Sequence, residues 1–435
     1  MTSKQELTGI VQEQVEQQFA ESQQSLVNRE ALSTLEAHLK TPHAVILTGI
    51  RRGGKSTACK LIRQKYFTTN SHQFNFEDER LVDFSVKDFS KLHEVLIEFY
   101  GDHKTFFLDE IQNIEKWELF VRRLMDQGYK FFITGSNAAM LSQELGTRLT
   151  GRNTTLELYP FSFREFLVFR NFKNDVNTQH TTVSKAGLNK LLNEYLLGGG
   201  MPEYLQYNDS QLLANTYDDI LYRDIITRYQ IRDVAAFKRL AIYLFNNYSA
   251  KITYSSLKPI LNIKNTSTIS NYFYYLENSY LIFTLCQFSF SLKQQHLLPK
   301  KIYVIDSGIA NVLNIQSSRN LGRLLENLVF IELKRHYKEI YYFESAKKLE
   351  VDFIVMNRGK PQQLIQVSLD ISNEKTRARE IKALKAAMEE TGLNQSTIIT
   401  LEEEGELKEG TSQINIVPIS RWLLEVFVSD NDRSL

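Results

Sequence analysis

Residues 49–57 read Gly49-Ile50-Arg51-Arg52-Gly53-Gly54-Lys55-Ser56-Thr57 and follow an apolar run, Ala44 to Leu47. They match the pattern G-x-x-x-x-G-K-[ST], and a segment with helical spacing, Ala58 to Tyr66, comes directly after them. Glycines let a backbone turn sharply and bring its N–H groups against phosphate oxygens, while the helix N-terminus adds partial positive charge. A fortuitous Gly-rich turn would not need this strand and helix around it. The stretch therefore predicts a loop that binds the phosphates of a nucleotide.

The residues of this loop have different predicted parts in binding ATP and Mg²⁺. We expect Lys55 to reach the β- and γ-phosphates and Ser56 to ligate Mg²⁺. Arg51 and Arg52 add positive charge that serves either the phosphates or a neighbouring subunit, and the sequence leaves both readings open. The other residues expected to line the nucleotide are Gly49, Gly53, Gly54 and Thr57.

Length and composition limit the class of protein. A chain of 435 residues is too long for one ordinary core, so about two or three domains are expected. A net charge of +1 gives no global attraction to nucleic acid or membranes, so such binding would need a local patch. The two cysteines, Cys59 and Cys286, exclude a disulfide framework and fit a reducing cytoplasm. Zinc-type Cys/His spacing, a bilayer-length apolar run and a signal peptide are all missing, so we expect a cytoplasmic protein without a membrane partner.

Apolar strands alternate with helices through the first part of the chain. Two helices are expected within residues 1–40, the second of them at 29–39 with Asn28 as its cap. Such alternation predicts a parallel sheet with helices on both faces and functional residues at the carboxyl ends of its strands. Besides the strand before the loop, the expected strands are 73–76, 105–108, 130–134 and 154–158.

An acidic pair, Asp109-Glu110, follows the strand at 105–108. Asp109 fits the Walker B carboxylate that holds Mg²⁺, and Glu110 is placed to polarise an attacking water, which predicts ATP hydrolysis. The alternative is an acidic pair that only caps a helix. After the next strand, Ser136 or Asn137 is predicted to sense the γ-phosphate or position the water, with an ordinary helix cap as the alternative.

Two arginines, Arg148 and Arg152, precede the last of these strands. A guanidinium there, above all that of Arg152, would act as an arginine finger on the nucleotide of a neighbouring subunit, which implies a homo-oligomer. An ordinary surface position is the alternative, because exposed arginines are common.

Five motifs, in this order, carry a family resemblance: Gly-Ile-Arg-Arg-Gly-Gly-Lys-Ser (49–56), Leu-Asp-Glu-Ile-Gln (108–112), Thr-Gly-Ser-Asn (134–137), Leu-Thr-Gly-Arg (149–152) and Pro-Phe-Ser-Phe-Arg-Glu-Phe (160–166). The chain resembles the prokaryotic AAA+-type ATPases that join a P-loop domain to a C-terminal domain of unknown function. The resemblance implies a five-stranded sheet with the P-loop strand central and the sensor strand next to it. It also implies a helical lid in which Pro202, after three glycines, contacts adenine; a plain C-cap of the preceding helix is the alternative.

Residues 233–300 predict a winged helix-turn-helix. Three helices are expected from 237 to 280, followed by strands at 281–285 and 288–292. Such domains bind DNA or dock proteins, and the scarcity of cations here leaves both partners open. The third helix would present Lys264, Thr266, Ser267, Ser270, Asn271 and Tyr274 to a groove, and the wing would carry Lys293, Gln294 and Gln295.

The C-terminal residues 301–435 resemble restriction-endonuclease-like nucleases. A helix with Glu326 and a strand with Asp352 match their first two positions, at which carboxylates bind Mg²⁺ beside a lysine that activates water. Gln366 and Ser368 stand where Glu and Lys are needed, so a degenerate site is expected. A replacement lysine would have to come from Lys347, Lys348 or Lys360.

The predicted fold is α/β: a P-loop NTPase parallel sheet (AAA+-like), then a helical lid and winged helix, then an α/β restriction-endonuclease-like domain. The predicted function is a Mg²⁺-dependent ATPase that couples ATP binding and hydrolysis to a conformational change of DNA- or protein-docking modules. The alternatives are a nucleotide-held regulatory switch with little turnover and an ATP-gated nuclease. The expected boundaries are 1–40 for the N-terminal helices, 41–169 for the P-loop ATPase domain and 187–232 for the helical lid. The winged-helix-like domain is expected at 233–300 and the restriction-endonuclease-like domain at 301–435.

Overall fold

The protein is described by a computed structural model. It covers residues 2–21, 26–68, 70–136, 152–172, 182–289, 291, 295, 297–314 and 320–425. Contacts divide the chain into an N-terminal unit, residues 1–159 with 278–280, and a C-terminal unit, residues 160–277 with 281–435. Within the described ranges, none of the helices combines the length and the apolar character needed to span a bilayer.

The N-terminal unit is built on a five-stranded parallel sheet with the order β2-β3-β4-β1-β5. Its strands are β1 (Ala44–Gly49), β2 (His72–Asn75), β3 (Thr105–Asp109), β4 (Lys130–Gly135) and β5 (Asn153–Leu158). The predicted parallel sheet is confirmed, and the P-loop strand β1 does lie beside the sensor strand β4. The expectation that β1 is central is wrong, because β4 inserts between β1 and β3 and takes the middle position.

Helices cover both faces of this sheet. They are α1 (Lys4–Glu21), α2 (Leu35–Leu39), α3 (Lys55–Tyr66), α4 (Phe89–Tyr100) and α5 (Trp117–Met125), with 3₁₀ turns at Glu30–Leu32, Glu79–Leu81 and Ile111–Asn113. The single helix expected at 29–39 is wrong. The backbone of Arg29 is extended, since its buried guanidinium bonds to distant carbonyl groups, and only a 3₁₀ turn and the short α2 follow it.

Alternate residues along the strands fill two separate cores. Phe106 and Phe131 stack with ring centroids 5.2 Å apart in the core beneath α1, α4 and α5. Their neighbours Phe107 and Phe132 stack at 4.6 Å in the core on the side of α3. Because side chains alternate across a strand, two adjacent phenylalanines on each strand serve both cores. This two-sided burial explains why the strands read as continuous apolar runs.

The C-terminal unit combines helices with two sheets. Its helices are α6 (Phe163–Phe169), α7 (Thr182–Gly198), α8 (Pro202–Tyr207), α9 (Ser210–Asp219) continuing as a π-helix (Ile220–Thr227), α10 (Val234–Asn246), α11 (Tyr254–Leu261), α12 (Thr266–Asn278), α13 (Ser307–Leu313), α14 (Leu321–His336), α15 (Glu374–Thr391) and α16 (Ile419–Glu425). Three antiparallel strands, β6 (Lys251–Ile252), β7 (Ile282–Cys286) and β8 (Lys300–Val304), have the order β6-β8-β7.

The second sheet of this unit is mixed and has six strands, in the order β13-β14-β12-β11-β10-β9. The strands are β9 (Glu339–Glu344), β10 (Glu350–Asn357), β11 (Lys360–Val367), β12 (Gln395–Thr400), β13 (Gly405–Glu409) and β14 (Ser412–Pro418). β9, β10 and β11 pair antiparallel, whereas β11, β12 and β14 pair parallel. An α/β domain with a mixed sheet therefore follows the P-loop sheet, as the fold prediction states.

The three helices expected before the small sheet are present as α10, α11 and α12. Thr253 caps α11, since its hydroxyl accepts a hydrogen bond of 3.2 Å from the Ser256 amide. The strand expected at 288–292 is wrong where the structure describes it: residues 288, 289 and 291 lie outside any strand, and residues 290 and 292 lie outside the described ranges. β7 pairs instead with β8, which also pairs with β6.

Candidate functional site

The P-loop joins the end of β1 to the start of α3. Gly49 has φ +148°, and a Cβ there would lie 2.0 Å from the carbonyl oxygen of Leu158, so only glycine fits. Gly54 has φ +94° and is the N-cap of α3. Both glycines are therefore required by local geometry, as the loop prediction expects.

The Lys55 ammonium is turned back over the loop. It donates hydrogen bonds to the carbonyl oxygens of Gly49 (3.3 Å) and Ile50 (3.1 Å). It also lies 3.8 Å from the Glu110 carboxylate, and the Lys55 side chain is 5% exposed. The predicted P-loop lysine and the predicted water-polarising glutamate therefore meet at one point.

Asp109 ends β3 and faces the start of α3. Its carboxylate accepts hydrogen bonds from the hydroxyls of Thr134 and Ser56. Burial raises the pKa of Asp109 above its usual range, and the adjacent Glu110 charge raises it further; both hydroxyls and the Lys55 ammonium oppose the shift. A hydroxyl and a carboxylate are hard oxygen donors that suit Mg²⁺, so Ser56 and Asp109 fit the ion as predicted ligands.

Glu110 is oriented by two residues that sequence reasoning missed. Its backbone has φ +50°, and its amide donates to the Thr134 hydroxyl at 3.1 Å. The Gln112 amide group donates to its carboxylate, and Ser136 donates to the same oxygen at 3.4 Å. Ser136 thus reaches the site as expected, although its sensing role stays a prediction. Asn137 lies outside the described residues.

The signal for Gln112 was present in the motif Leu-Asp-Glu-Ile-Gln, two positions after Glu110. A third missed residue, Arg29, has no such signal, since it was predicted to lie in a helix. Its guanidinium donates to the carbonyl oxygen of Gly53 at 2.9 Å and to that of Tyr159, and the residue is 4% exposed. Arg29 therefore holds the P-loop backbone at Gly53 against the backbone at Tyr159.

The arginines that the sequence predicted for the site have contacts different from those of Arg29, which was missed. Arg51 forms an ion pair with Glu77, and Arg52 is exposed with φ +59°. Arg152 pairs with Asp126 at 2.6 Å, before β5, at the amino edge of the sheet. The P-loop follows the carboxyl ends, so Arg152 does not reach the P-loop of its own N-terminal unit. Its role in trans stays a prediction, and Arg148 lies outside the described residues.

The glycine run at 198–200 lies in the C-terminal unit. Gly199 has φ +75° after the end of α7, and its amide donates to the Tyr195 carbonyl at 2.8 Å. The Gly200 amide donates to the buried carboxylate of Asp306 at 2.7 Å. Pro202 is the first residue of α8, so the run ends one helix and begins another. Contact of Pro202 with adenine stays a prediction.

The motif Pro-Phe-Ser-Phe-Arg-Glu-Phe forms a capping box at the start of α6. Ser162 and Glu165 exchange side chain–backbone hydrogen bonds of 3.0 and 3.1 Å. Between them, Arg164 donates to the carbonyl oxygen of Leu423 at 2.9 Å and pairs with the buried Glu332 at 3.3 Å. The motif thus joins α6 to α14 and α16 inside the C-terminal unit.

The nuclease-like pattern is only partly assembled. Glu326 on α14 and Asp352 on β10 come together around Lys301, a residue that sequence reasoning missed because it lies on the unpredicted β8. Burial and the neighbouring Asp352 raise the pKa of Glu326 to about 7, against the Lys301 charge. The Gln366 side chain contacts the backbone of Asp352: its oxygen accepts from the Asp352 amide, and its nitrogen donates to Glu380. The Ser368 hydroxyl donates to the Asp370 carbonyl.

None of the lysines proposed to move into the nuclease-like site is seen to do so. Lys348 pairs with Glu344 and is 85% exposed, and Lys347 and Lys360 are exposed.

The polar face predicted for α12 is mostly exposed. Thr266, Ser267, Asn271 and Tyr274 on α12 are exposed, as is Lys264 just before it, and Ser270 is half-buried. Of the predicted wing residues, Gln295 is half-buried, and residues 293 and 294 lie outside the described ranges.

Comparison with known proteins identifies domain families and relatives that this chain resembles. Residues 41–167 match the family described as AAA domain, and residues 189–320 and 321–422 match two domains of unknown function, DUF8612 and DUF4143. The uncharacterized protein MJ1544 of Methanocaldococcus jannaschii is 37% identical over 396 residues, which cover 87% of this chain and 88% of that one. An uncharacterized protein of Haemophilus influenzae is 29% identical over 362 residues, 80% of this chain and 88% of that one.

Among solved structures, a Cdc6p from Pyrobaculum aerophilum matches 66% of this chain and 95% of its own, with 13% identity and a TM-score of 0.28. A likeness of that size supports no argument about fold or function.

Proposed function

This chain belongs to one family with MJ1544, and from that premise we propose that it is a Mg²⁺-dependent AAA+-type ATPase. It couples ATP binding and hydrolysis to a conformational change of its C-terminal docking modules. The proposal rests above all on the 3.8 Å approach of Lys55 to Glu110, beside the contact of Ser56 with Asp109. These groups gather at the carboxyl edge of the sheet, where ligands of open α/β folds bind.

Each residue has a defined part in the proposed reaction. The loop amides and Lys55 bind the phosphates, and the ammonium exchanges its bonds to the loop carbonyls for bonds to phosphate oxygens. Glu110 orients a water and takes its proton as the water oxygen bonds to the γ-phosphorus, and the bond to the leaving ADP oxygen breaks. Bound Mg²⁺, held by Ser56 and Asp109, would neutralise phosphate charge. The products are ADP and inorganic phosphate.

The docking modules belong to the C-terminal unit. We propose that α10, β6, α11, α12, β7 and β8 form a winged helix, because helix, strand, two helices and two strands follow one another in that order. The exposed polar face of α12 would meet DNA or a protein partner. Pro202 would contact adenine as part of a helical lid, and Arg152 would act on the nucleotide of a second subunit in a homo-oligomer.

A second candidate function is a nucleotide-held switch with little turnover. The observation that favours it is the anchoring of the Glu110 carboxylate by Gln112, Ser136 and Lys55, since a carboxylate held this way is not free to activate water. The switch and the ATPase make different predictions for steady-state phosphate release.

Phosphate release from ATP tests the proposal, measured with Mg²⁺, with excess EDTA, and with or without double-stranded DNA. We expect Mg²⁺-dependent turnover in the wild type and none above background in Lys55→Ala. A wild type that binds ATP but releases no phosphate under any of these conditions would leave the switch as the function. A wild type that does not bind ATP would exclude both.

The proposed coupling needs its own experiment. Glu110→Gln should bind ATP without hydrolysing it, so limited proteolysis can compare its ATP-bound and ADP-bound forms. We expect different cleavage patterns for the two nucleotides, and no difference in Lys55→Ala. Identical patterns with ATP and ADP at saturation would show that the nucleotide does not drive a conformational change.

A further inference from the structure

Lys301 on β8 directs its ammonium into the carboxylates of the C-terminal unit. Its Nζ lies 2.7 Å from an oxygen of Glu350, 2.8 Å from one of Asp352 and 3.0 Å from one of Glu326. The Lys301 side chain is 4% exposed. We call these four residues the Lys301 cluster. Its members come from three elements, β8, β10 and α14.

A nuclease-like layout would hold Mg²⁺ at this position, so we ask whether the Lys301 cluster could bind that ion. An ammonium group has three hydrogen atoms to donate, and three carboxylates accept them at ordinary hydrogen-bond lengths. Magnesium needs about six oxygen ligands at about 2.0–2.1 Å, so it cannot share the centre that the Lys301 ammonium fills. Among the described residues, no group of three or more His, Cys, Asp or Glu side chains is arranged to hold a metal ion.

The carboxylates of the cluster have further donors besides Lys301. Tyr303 donates to Glu326 at 2.7 Å, and Lys251 pairs with the other oxygen of Glu350 at 2.5 Å. The Val367 amide donates to the second oxygen of Asp352 at 3.0 Å. Each carboxylate is thus satisfied by groups of the protein itself, which is the condition for burying charge in a stable fold.

Gln366, the third position of the nuclease-like pattern, uses both ends of its side-chain amide in hydrogen bonds to other residues of the protein. Its side-chain oxygen accepts a hydrogen bond from the Asp352 amide at 3.2 Å, and its nitrogen donates to Glu380 at 2.8 Å. It therefore orients the backbone of β10 instead of offering a ligand. The residues present do not fit a divalent metal ion.

We propose that Lys301 is the permanent cation of this cluster, in the place of a divalent ion, and that the C-terminal unit is a metal-independent docking module that does not cleave nucleic acid. The ammonium ties β8 to α14 and β10. Because β8 is the middle strand of the small sheet, it connects that sheet with the mixed sheet.

The first test titrates Mn²⁺ into the nucleotide-free full chain and counts bound ions by electron paramagnetic resonance. Wild type, Asp352→Asn and Glu350→Gln are compared, since any ion held by the P-loop is common to all three. We expect equal binding and an intact supercoiled plasmid after incubation with Mn²⁺ or Mg²⁺. A Mn²⁺ site or plasmid cleavage that is present in the wild type and lost in either variant would overturn the proposal.

The second test removes the internal cation. Lys301→Met should lower the thermal midpoint, because the carboxylates are then left without their ammonium. Addition of Mn²⁺ should raise the thermal midpoint of this variant by several degrees. Lys300→Met is the matched control, since Lys300 is the neighbour on β8 and contacts Tyr254 instead of the cluster. A folded Lys301→Met protein that responds to Mn²⁺ no more than Lys300→Met contradicts the proposal. If Lys301→Met does not fold, the comparison of wild type with Glu350→Gln decides the question alone.

Discussion

The ammonium of Lys55 and the carboxylate of Glu110 lie 3.8 Å apart, although they follow two strands, β1 and β3, that are not neighbours in the sheet. β4 lies between these strands. Thr134 near its end donates to Asp109, and Ser136, the residue after β4, donates to Glu110. The strand order therefore places a sensor strand between the phosphate-binding group and the proposed base. In the proposed ATPase, this arrangement links nucleotide binding to the orientation of Glu110.

Removal of the Gln112 side chain should lower turnover without weakening ATP binding. Gln112 contacts the Glu110 carboxylate and not the loop, so Gln112→Ala should misorient the base and reduce kcat by about tenfold. KM for ATP should change by less than about twofold, because no phosphate contact is lost. Steady-state phosphate release measures both constants, with Gln127→Ala, an exposed glutamine, as the control. A rise in KM at constant kcat would assign Gln112 to binding.

Loss of the Arg29 guanidinium should loosen the P-loop. Arg29→Met leaves the carbonyl groups of Gly53 and Tyr159 without this donor, and each buried unsatisfied group costs about 1–3 kcal/mol. We expect a lower urea midpoint and about tenfold weaker ATP binding. Arg51→Met, which removes a surface ion pair with Glu77, should change stability by at most about 1 kcal/mol. Equal urea midpoints for the two variants would show that Arg29 does not support the loop.

A methyl group at Gly199 should destabilise the C-terminal unit. Its Cβ would lie 2.2 Å from the Asp306 carboxylate, and φ is +75°. Gly199→Ala should therefore combine about 1–2 kcal/mol of left-handed strain with about 1–3 kcal/mol of overpacking. Gly392→Ala is the matched control, because φ is +74° and nothing lies within 4 Å of the added Cβ. Urea unfolding should separate the two variants, and identical midpoints would exclude the clash with Asp306.

Asp306 should make the C-terminal unit less stable as pH rises. Burial raises the pKa of Asp306 to about 6, against hydrogen bonds from the amides of Gly200, Ile309 and Gly308 and the charge of Arg335. The unfolded pKa is about 3.9, so the folded state binds more protons between about pH 4 and 6, and stability falls across that window. The loss for two pKa units is about 3 kcal/mol.

Asp306→Asn removes this titration and keeps the shape of the side chain. The free energy of unfolding of the wild type, measured relative to the variant, should fall by about 2 kcal/mol from pH 4 to pH 7, because part of the full loss has already occurred at pH 4. Other titrating groups affect both proteins and cancel in the difference. A difference that is constant with pH would mean that Asp306 is already ionised at pH 4.

The predicted site residues that the structure brings together lie next to strand ends in linear motifs. Lys55, Asp109, Glu110 and Ser136 each follow an apolar run within a few residues, so local pattern and parallel topology together place them at one edge. The middle position of β4 could not be read this way, because strand order depends on pairing between distant segments.

Arg29 and Lys301 were missed for a related reason. Each acts through partners far away in the sequence, such as the Gly53 carbonyl and the Asp352 carboxylate, and neither sits in a recognisable motif. The segment predicted as a strand at 288–292 has the aromatic composition of a strand, but the strand that pairs with β7 is β8. Long-range pairing, not local propensity, decided each of these cases.

The most direct test of the proposed ATPase activity is to measure ATP binding and phosphate release on the same preparations of wild type and Glu110→Gln. Loss of a general base lowers turnover by about 10²–10⁴-fold, whereas phosphate binding depends on Lys55 and the loop amides. We predict Mg²⁺-dependent turnover in the wild type, at least about 10²-fold slower turnover in Glu110→Gln, and ATP affinities within about threefold of each other. Equal rates of phosphate release by the two proteins, at equal ATP occupancy, would contradict hydrolysis by Glu110.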